Sequence, residues 1–564
     1  MRVIKRGVVI ISVVANATSL LLGANVPNID NIIKEVKPPK EIKKSKEELI
    51  EIEGKKRYQI AMVDDKSGKK IYVKEFKITG NVNIKEEELK EQIKEYERKS
   101  LNFKELTDIS SIITKYYRDK GYFVARAYLP VQDVKKNEDV FEIAIIEGEY
   151  NKFNIINGSR VKDGIIQKSF DRIKEENNVV NTQALERSML IVDDYPGVKI
   201  RSVEVKPGEE IGSSSFDVII DRRSYVDGYV VSDNYGNKYS GRNRIMGGVS
   251  VNSALKIADE LSMFGVISED ANLKNGMVTY SVPLNYNGLR GEISYSNTNY
   301  DLRKIEGGYN GDSKDINVGI SYPIIKTRED KLDTKITIGT KKQEDYQDKD
   351  VVTNKELKNV NVSMDYVGQK RVFGLNGIID GTISYVNGDL NIKNEEAKSI
   401  DEQGAKTQGR YNKIEMKASL NLEIMKNINF VNSIKAQQVI GNKNLDGTED
   451  MSIGGLDGVK FYPSSEESAE NGYVYSSEII GRLPNIMNVK QSASVFYDVG
   501  KVRIQNNEYD TEYKSRLLED VGLGYYMNYR EGFVKIYSAW GINAEVESET
   551  NYNNRIMFQA GISF

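Results

Sequence analysis

Val489-Lys490-Gln491-Ser492-Ala493-Ser494-Val495-Phe496-Tyr497-Asp498-Val499-Gly500 is the stretch that decides the fold. Successive side chains of a strand point to opposite sides. Val489, Gln491, Ala493, Val495, Tyr497 and Val499 therefore share one face. Lys490, Ser492, Ser494, Phe496, Asp498 and Gly500 share the other. The first face suits lipid. The second is mostly small and polar and carries one carboxylate, as in the wall of a transmembrane barrel with a wet interior.

The same period extends from Ser224 to Phe564. Ile316, Val318, Ile320, Tyr322 and Ile324 alternate with Asn317, Gly319 and Ser321. Tyr473, Tyr475, Ile479 and Leu483 lie opposite Ser476, Glu478 and Arg482. Clusters of Asn, Asp, Gly and Lys separate such segments. The region holds about sixteen candidate strands, an even number as single-chain barrels require. A soluble sandwich would leave strand edges unpaired and is the weaker alternative. In the last segment Ile556, Phe558, Ala560, Ile562 and Phe564 share a face.

Composition narrows the chemistry. The 564 residues include 80 Lys and Arg against 83 Asp and Glu, a balance that gives no sign of a nucleic-acid partner. Cys and His are absent, which removes disulfides, thiol chemistry, imidazole or thiolate metal sites and every triad that needs His. Clusters such as Asp193-Asp194 and Glu466-Glu467 read as solvated charge. No enzyme activity, cofactor or metal is expected.

Arg2, Lys5 and Arg6 precede an apolar stretch, Val8–Val14, and then small residues. Residues 1–24 read as a secretory signal peptide, cut after Ala24 or after Ala17. A retained anchor is the alternative, weakened by polar Asn16, Thr18 and Ser19. No later stretch reaches the roughly 18 apolar residues of a spanning helix, so strands must carry any membrane crossing. Within residues 25–70, Asn28–Val36 has helical spacing and Lys40–Lys56 reads as a solvated linker or frayed helix.

Residues 71–149 read as a βααββ unit. It has a strand over Ile71–Thr79, helices over Lys85–Tyr96 and Asn102–Lys120, and strands over Tyr122–Leu129 and Val140–Glu147. Leu106, Ile109, Ile113 and Tyr116 give the second helix its apolar face. Residues 150–222 repeat the order, an internal duplication of about seventy residues. The barrel then occupies 223–564.

Ordered motifs across the chain resemble the transporters of two-partner secretion, the haemolysin and filamentous-haemagglutinin secretion/activation family of the Omp85 superfamily. Tyr117-Arg118-Asp119-Lys120-Gly121-Tyr122, Ala125-Arg126-Ala127-Tyr128-Leu129-Pro130 and Glu147-Gly148 look like that family's POTRA signature. Asp233-Asn234-Tyr235-Gly236, Ser281-Val282-Pro283-Leu284 and Ser321-Tyr322-Pro323-Ile324 are similar to its barrel motifs. The resemblance implies a membrane β-barrel of about sixteen antiparallel strands preceded by two α+β POTRA domains. It also implies residence in the outer membrane with the POTRA domains in the periplasm.

By that resemblance a long loop enters the barrel and its tip meets the wall. The wall motif, Phe496, Asp498 and Gly500, is complete. At the tip Val459 and Tyr462 match, while Lys460 replaces an Arg and Phe461 a Gly. Lys is a point charge without the Arg fork. In a partly wet lumen a Lys460–Asp498 pair is expected to contribute on the order of 1 kcal/mol or less.

The implied function is recognition of an unfolded secreted exoprotein and its passage through the barrel. The alternatives are an Omp85-type barrel assembly factor and a passive porin. An extended client would add a strand to a POTRA sheet, with Phe76, Ile78, Tyr128, Leu129, Val203 and Val205 as the expected contacts. Outer-membrane lipid and the barrel assembly machinery are further expected partners, with Phe564 as the insertion signal. Asn28–Val36 is expected to plug the pore.

Overall fold

The computed structural model describes residues 51–53, 69–302, 308–506, 508, 515–542, 546 and 552–564. The expected signal peptide and the segment Asn28–Val36 lie outside them.

Among the described residues, backbone pairing gives a three-stranded sheet, a four-stranded sheet, two two-stranded ribbons and one closed barrel. The chain runs through β1 (Glu51–Glu53), β2 (Lys70–Val73), β3 (Glu75–Thr79), α1 (Glu86–Ile93), β4 (Lys99–Asn102), α2 (Phe103–Asp119), β5 (Arg126–Tyr128) and β6 (Val140–Ile146). The strand expected over Ile71–Thr79 is broken at Lys74. Its first half pairs with β4 as a separate ribbon, and its second half joins the sheet β3-β6-β5. Asn102 starts α2 with a capping box: its side chain accepts from Glu105 N at 2.8 Å, and Glu105 accepts from Asn102 N at 2.7 Å. Tyr117 is the aromatic that α2 buries fully, whereas Tyr116 packs at the margin. The Tyr117 hydroxyl donates to Glu147 at 2.9 Å, and the same carboxylate oxygen takes the N–H groups of Val82 and Asn83. Burial and the adjacent Glu147 push the Tyr117 phenol far up from its usual range.

The second unit contains β7 (Glu149–Asn157), α3 (Asp163–Glu176), α4 (Thr182–Asp193), β8 (Val198–Pro207) and β9 (Ser213–Arg222). Its sheet order is β1-β8-β9-β7. Thus part of the expected linker is a strand. β1 pairs in parallel with β8, matching Glu51 with Ser202, Ile52 with Val203 and Glu53 with Glu204. The physical reason is that β8 would otherwise present a row of unpaired backbone groups. Sequence periodicity cannot reveal this, because three residues carry no period.

Only residues 223–225 separate β9 from the first barrel strand, Val226–Asp233. Sixteen antiparallel strands close the barrel, the last being Arg555–Ser563. At the seam Gly228 and Phe564 exchange both backbone hydrogen bonds, each at 2.9 Å. Ile316, Ile320, Val495, Ile562 and Phe564 are 43–65 % exposed on the outer face, whereas Phe496 and Asp498 are buried on the inner one. The alternation read from Val489–Gly500 thus separates lipid from lumen. Among the described residues no helix is long and apolar enough to cross a membrane.

Candidate functional site: a loop held inside the barrel

The strands Ile428–Ile440 and Asn471–Ile486 are joined by residues 441–470, which fold inward rather than away. Met451–Ser452 pairs with Ser468–Ala469, making the loop a narrow hairpin. Its tip turns sharply at Gly454-Gly455-Leu456-Asp457-Gly458. Gly455 has φ +93°, and a Cβ on Gly458 would stand 2.3 Å from the Ile453 carbonyl oxygen, so side chains are excluded there. Val459 N donates to Ile453 O at 2.8 Å and Gly455 N to Tyr462 O at 3.2 Å, which fixes the tip.

This turn delivers Lys460 to the wall. Its Nζ lies 2.7 Å from Asp498 Oδ2, and both residues are buried. Ser476 donates to the other Asp498 oxygen. The ammonium also sits 4.3 Å from the centre of the Phe496 ring and 6.0 Å from that of Tyr537. A cation over aromatic faces in a dry setting gains up to about 2 kcal/mol. Lys460 thus has a single ionic contact and two rings rather than a bidentate fork. The dry surroundings also differ from the partly wet lumen expected, so the small value expected for the pair does not apply.

The wall motif has a steric logic. A Cβ on Gly500 would lie 3.0 Å from Ile453 Cβ and 3.1 Å from Val459 Cγ2, so Gly500 makes room for the loop. Phe496 in turn needs Gly522 on the next strand, where a Cβ would meet Phe496 Cζ at 2.2 Å. Val459, Phe461 and Tyr462 are all buried in the same apolar cluster.

Several partners of the loop were not legible in the sequence. Asp520 stands directly opposite Asp498 on the strand Arg516–Tyr529 and accepts the Phe461 N–H at 2.5 Å. The Tyr552 hydroxyl donates to Phe461 O at 2.9 Å, Arg555 donates to Tyr462 O, and Ser464 donates to Tyr235 O at 2.9 Å. Farther back, Lys413 Nζ lies 2.8 Å from Glu449 Oε2 and 2.7 Å from Glu415 Oε1. Lys355 pairs with Asp446 at 2.9 Å, and Gln437 donates to the carbonyls of both Glu449 and Glu470. The loop is therefore held at its tip and at its root. Period two could have placed Lys413 in the lumen, but the loop residue facing it has no sequence signal.

The residues expected to touch a client divide differently. Phe76 and Ile78 belong to the core of the first unit, and Val203 and Val205 to that of the second. Their side chains are not available to a client, and only the backbone edges of their strands can pair. The correction follows from strand alternation, since the inward face of a sheet packed on helices is its core. Tyr128 is 41 % exposed, and Leu129 packs against the core margin.

Comparison with known proteins places this arrangement. The family described as haemolysin secretion/activation protein ShlB/FhaC/HecB matches residues 212–525, and the ShlB-type POTRA domain matches residues 71–148. The heme/hemopexin transporter protein HuxB of Haemophilus influenzae is 25 % identical over 433 residues, 74 % of each chain. The outer membrane transporter CdiB of Dickeya dadantii is 22 % identical over 410 residues, 70 % of each chain. The solved structure of CdiB from Escherichia coli is similar in fold, with a TM-score of 0.71, 19 % identity, and coverage of 90 % of this chain and 93 % of that one. With two POTRA-like units, a closed sixteen-stranded barrel and a loop locked to its inner wall, this chain belongs to the haemolysin secretion/activation (ShlB/FhaC/HecB) family, the outer-membrane transporters of two-partner secretion whose POTRA domains lie in the periplasm.

Proposed function

We propose that this transporter receives its secreted exoprotein as an extended, unfolded chain at the β8 edge and passes it through the lumen that residues 441–470 now occupy. The pairing of β1 with β8 carries this reading. There β8 pairs with an extended segment of this chain, and backbone pairing of this kind demands little of side-chain identity, which supports the reading. Three residue pairs make a short contact, so a longer client strand can displace it. The outer edges of β3 and β5 are the corresponding positions in the first sheet.

Within the barrel, Lys460 and Asp498 hold the loop at rest, and its release clears the path. The outer apolar face contacts lipid, and the barrel assembly machinery reads the terminal strand with Phe564. The chemistry described is that of binding and conduction. The test is secretion of the cognate exoprotein by cells with and without this protein. Loss of export without the transporter supports the reading. Unchanged export overturns it.

A further inference from the structure

The two Ser-x-Pro motifs, Ser281-Val282-Pro283-Leu284 and Ser321-Tyr322-Pro323-Ile324, have no part in the loop lock. They lie near the last paired positions of two strands, Leu273–Pro283 and Tyr309–Lys326, at the rim that faces the second POTRA domain. Proline has no N–H to give to a ladder. Pairing of Tyr309–Lys326 with its neighbour slips between Pro323 and Ile325. Carbonyls at this strand end are therefore open to an outside donor.

Arg187 of α4 is that donor. Its Nη2 donates to Pro323 O at 2.7 Å and to the Tyr322 hydroxyl at 3.2 Å, and its Nη1 lies 3.5 Å from Ile324 O. Its guanidinium stands 5.7 Å from the Tyr322 ring centre. The same helix carries Glu186, 3.3 Å from Arg328, and ends beside Asp194, which pairs with Lys326. Asp194, Arg290, Lys331 and Asp333, together with Ile191, Pro283 and Pro323, line an adjoining cavity of about 220 Å³. Gly288 closes its wall, since a Cβ there would lie 2.6 Å from Pro323 Cγ.

The position of this contact gives it meaning. Residues 223–225 tie the domain to the first barrel strand, and beside them Lys162 N donates to Lys256 O at 3.0 Å, the Ser253 hydroxyl donates to Pro196 O, and Ala258 packs into the domain's core. Tyr309–Lys326 is the sixth strand of the closed order. The domain is thus fastened at separated points of the rim, at residues 253–258, at Tyr286, which Lys168 of α3 meets at 3.4 Å, and at the sixth strand, where Arg187 makes the hydrogen bonds of α4. β8 follows α4 after only residues 194–197, so fixing α4 fixes the client edge.

We propose that Arg187 is a positioning residue for transport, fastening the second POTRA domain to the end of the sixth barrel strand so that β8 is held in one orientation to the pore. The functional half of this inference rests on the transport reading above, while the geometric half does not.

The chain has no Cys, so Glu175→Cys and Phe373→Cys give the full-length protein two spin labels, one on exposed Glu175 of α3 and one on the exposed turn at Phe373. Distances between them are measured by pulsed electron resonance in detergent or lipid, with Arg187 intact, as Arg187→Ala and as Arg187→Lys. The expected result is one narrow distribution with Arg187, a broad one with Ala, and partial narrowing with Lys, which keeps the charge without the fork. In unlabelled protein Arg187→Ala should lower export while client binding and heat-modifiable barrel yield stay unchanged. An equally narrow distribution for Arg187→Ala overturns the joint. Broadening with full export overturns its role in transport. If the unaltered protein exports nothing, the transport reading fails, and the label distances still decide the joint.

Discussion

Lys460 and Asp498 are 38 positions apart in the chain and 2.7 Å apart in space, with both side chains out of water. Breaking a buried pair by removing one partner leaves a charge without compensation, at a cost of about 3–5 kcal/mol. That cost falls on the seating of the loop, because the barrel itself is closed by strand pairing.

Asp498→Ala and Lys460→Ala should each free the loop and impair export, while heat-modifiable barrel yield changes little. The double variant should be little worse than either single one, since coupled residues do not add. Lys460→Arg should be tolerated if the space between Phe496 and Tyr537 accepts the longer side chain. Protease sensitivity of residues 441–470 and export assays provide the readout. Simple additivity would separate the two residues.

Gly522→Ala should mimic Asp498→Ala without altering any charge. The added Cβ would stand 2.2 Å from Phe496 Cζ and 2.5 Å from Ser538 O, and backbone cannot give way as a side chain can. Phe496 would have to leave its place under the Lys460 ammonium. The same protease assay reads this, and a loop as resistant as in the unaltered protein would contradict the steric argument.

At the loop's root, Lys413→Met should leave Glu449 and Glu415 without their shared cation. The expected outcome in planar bilayers is higher conductance or more frequent large openings than for the unaltered channel. Combined with Lys460→Ala, the effect should exceed either change alone, because the two holds act at opposite ends of one loop. Unchanged conductance in the double variant would mean that the loop is held by packing alone.

Ile52→Pro should raise client affinity at the β8 edge by removing a competitor. A gain of about tenfold corresponds to about 1.4 kcal/mol. Titration of an extended client segment against the full-length protein measures it. An affinity unchanged by the substitution would place client binding at another edge.

Truncation of Phe564 should reduce insertion. Its backbone exchanges two hydrogen bonds with Gly228 across the seam, and its ring packs where a Cβ on Gly228 would be, 2.5 Å from Phe564 Cζ. Equal yields of heat-modifiable barrel with and without Phe564 would contradict this.

The sequence by itself determined what depends on period. Alternation in Val489–Gly500 and in the segments around it set which side chains meet lipid, and turn clusters set the number of strands. The spacing of Leu106, Ile109 and Ile113 set the buried face of α2. Only the tertiary structure decided contacts between segments far apart that share no period. It brought Asp520 to the Phe461 amide, Lys413 to Glu449, β1 to β8 and Arg187 to Pro323. It also made Phe76, Ile78, Val203 and Val205 core residues, because a sheet face becomes core only once helices cover it. The reason is common to these cases: local pattern fixes the direction of a side chain, and the closing of the chain in three dimensions fixes what it meets there.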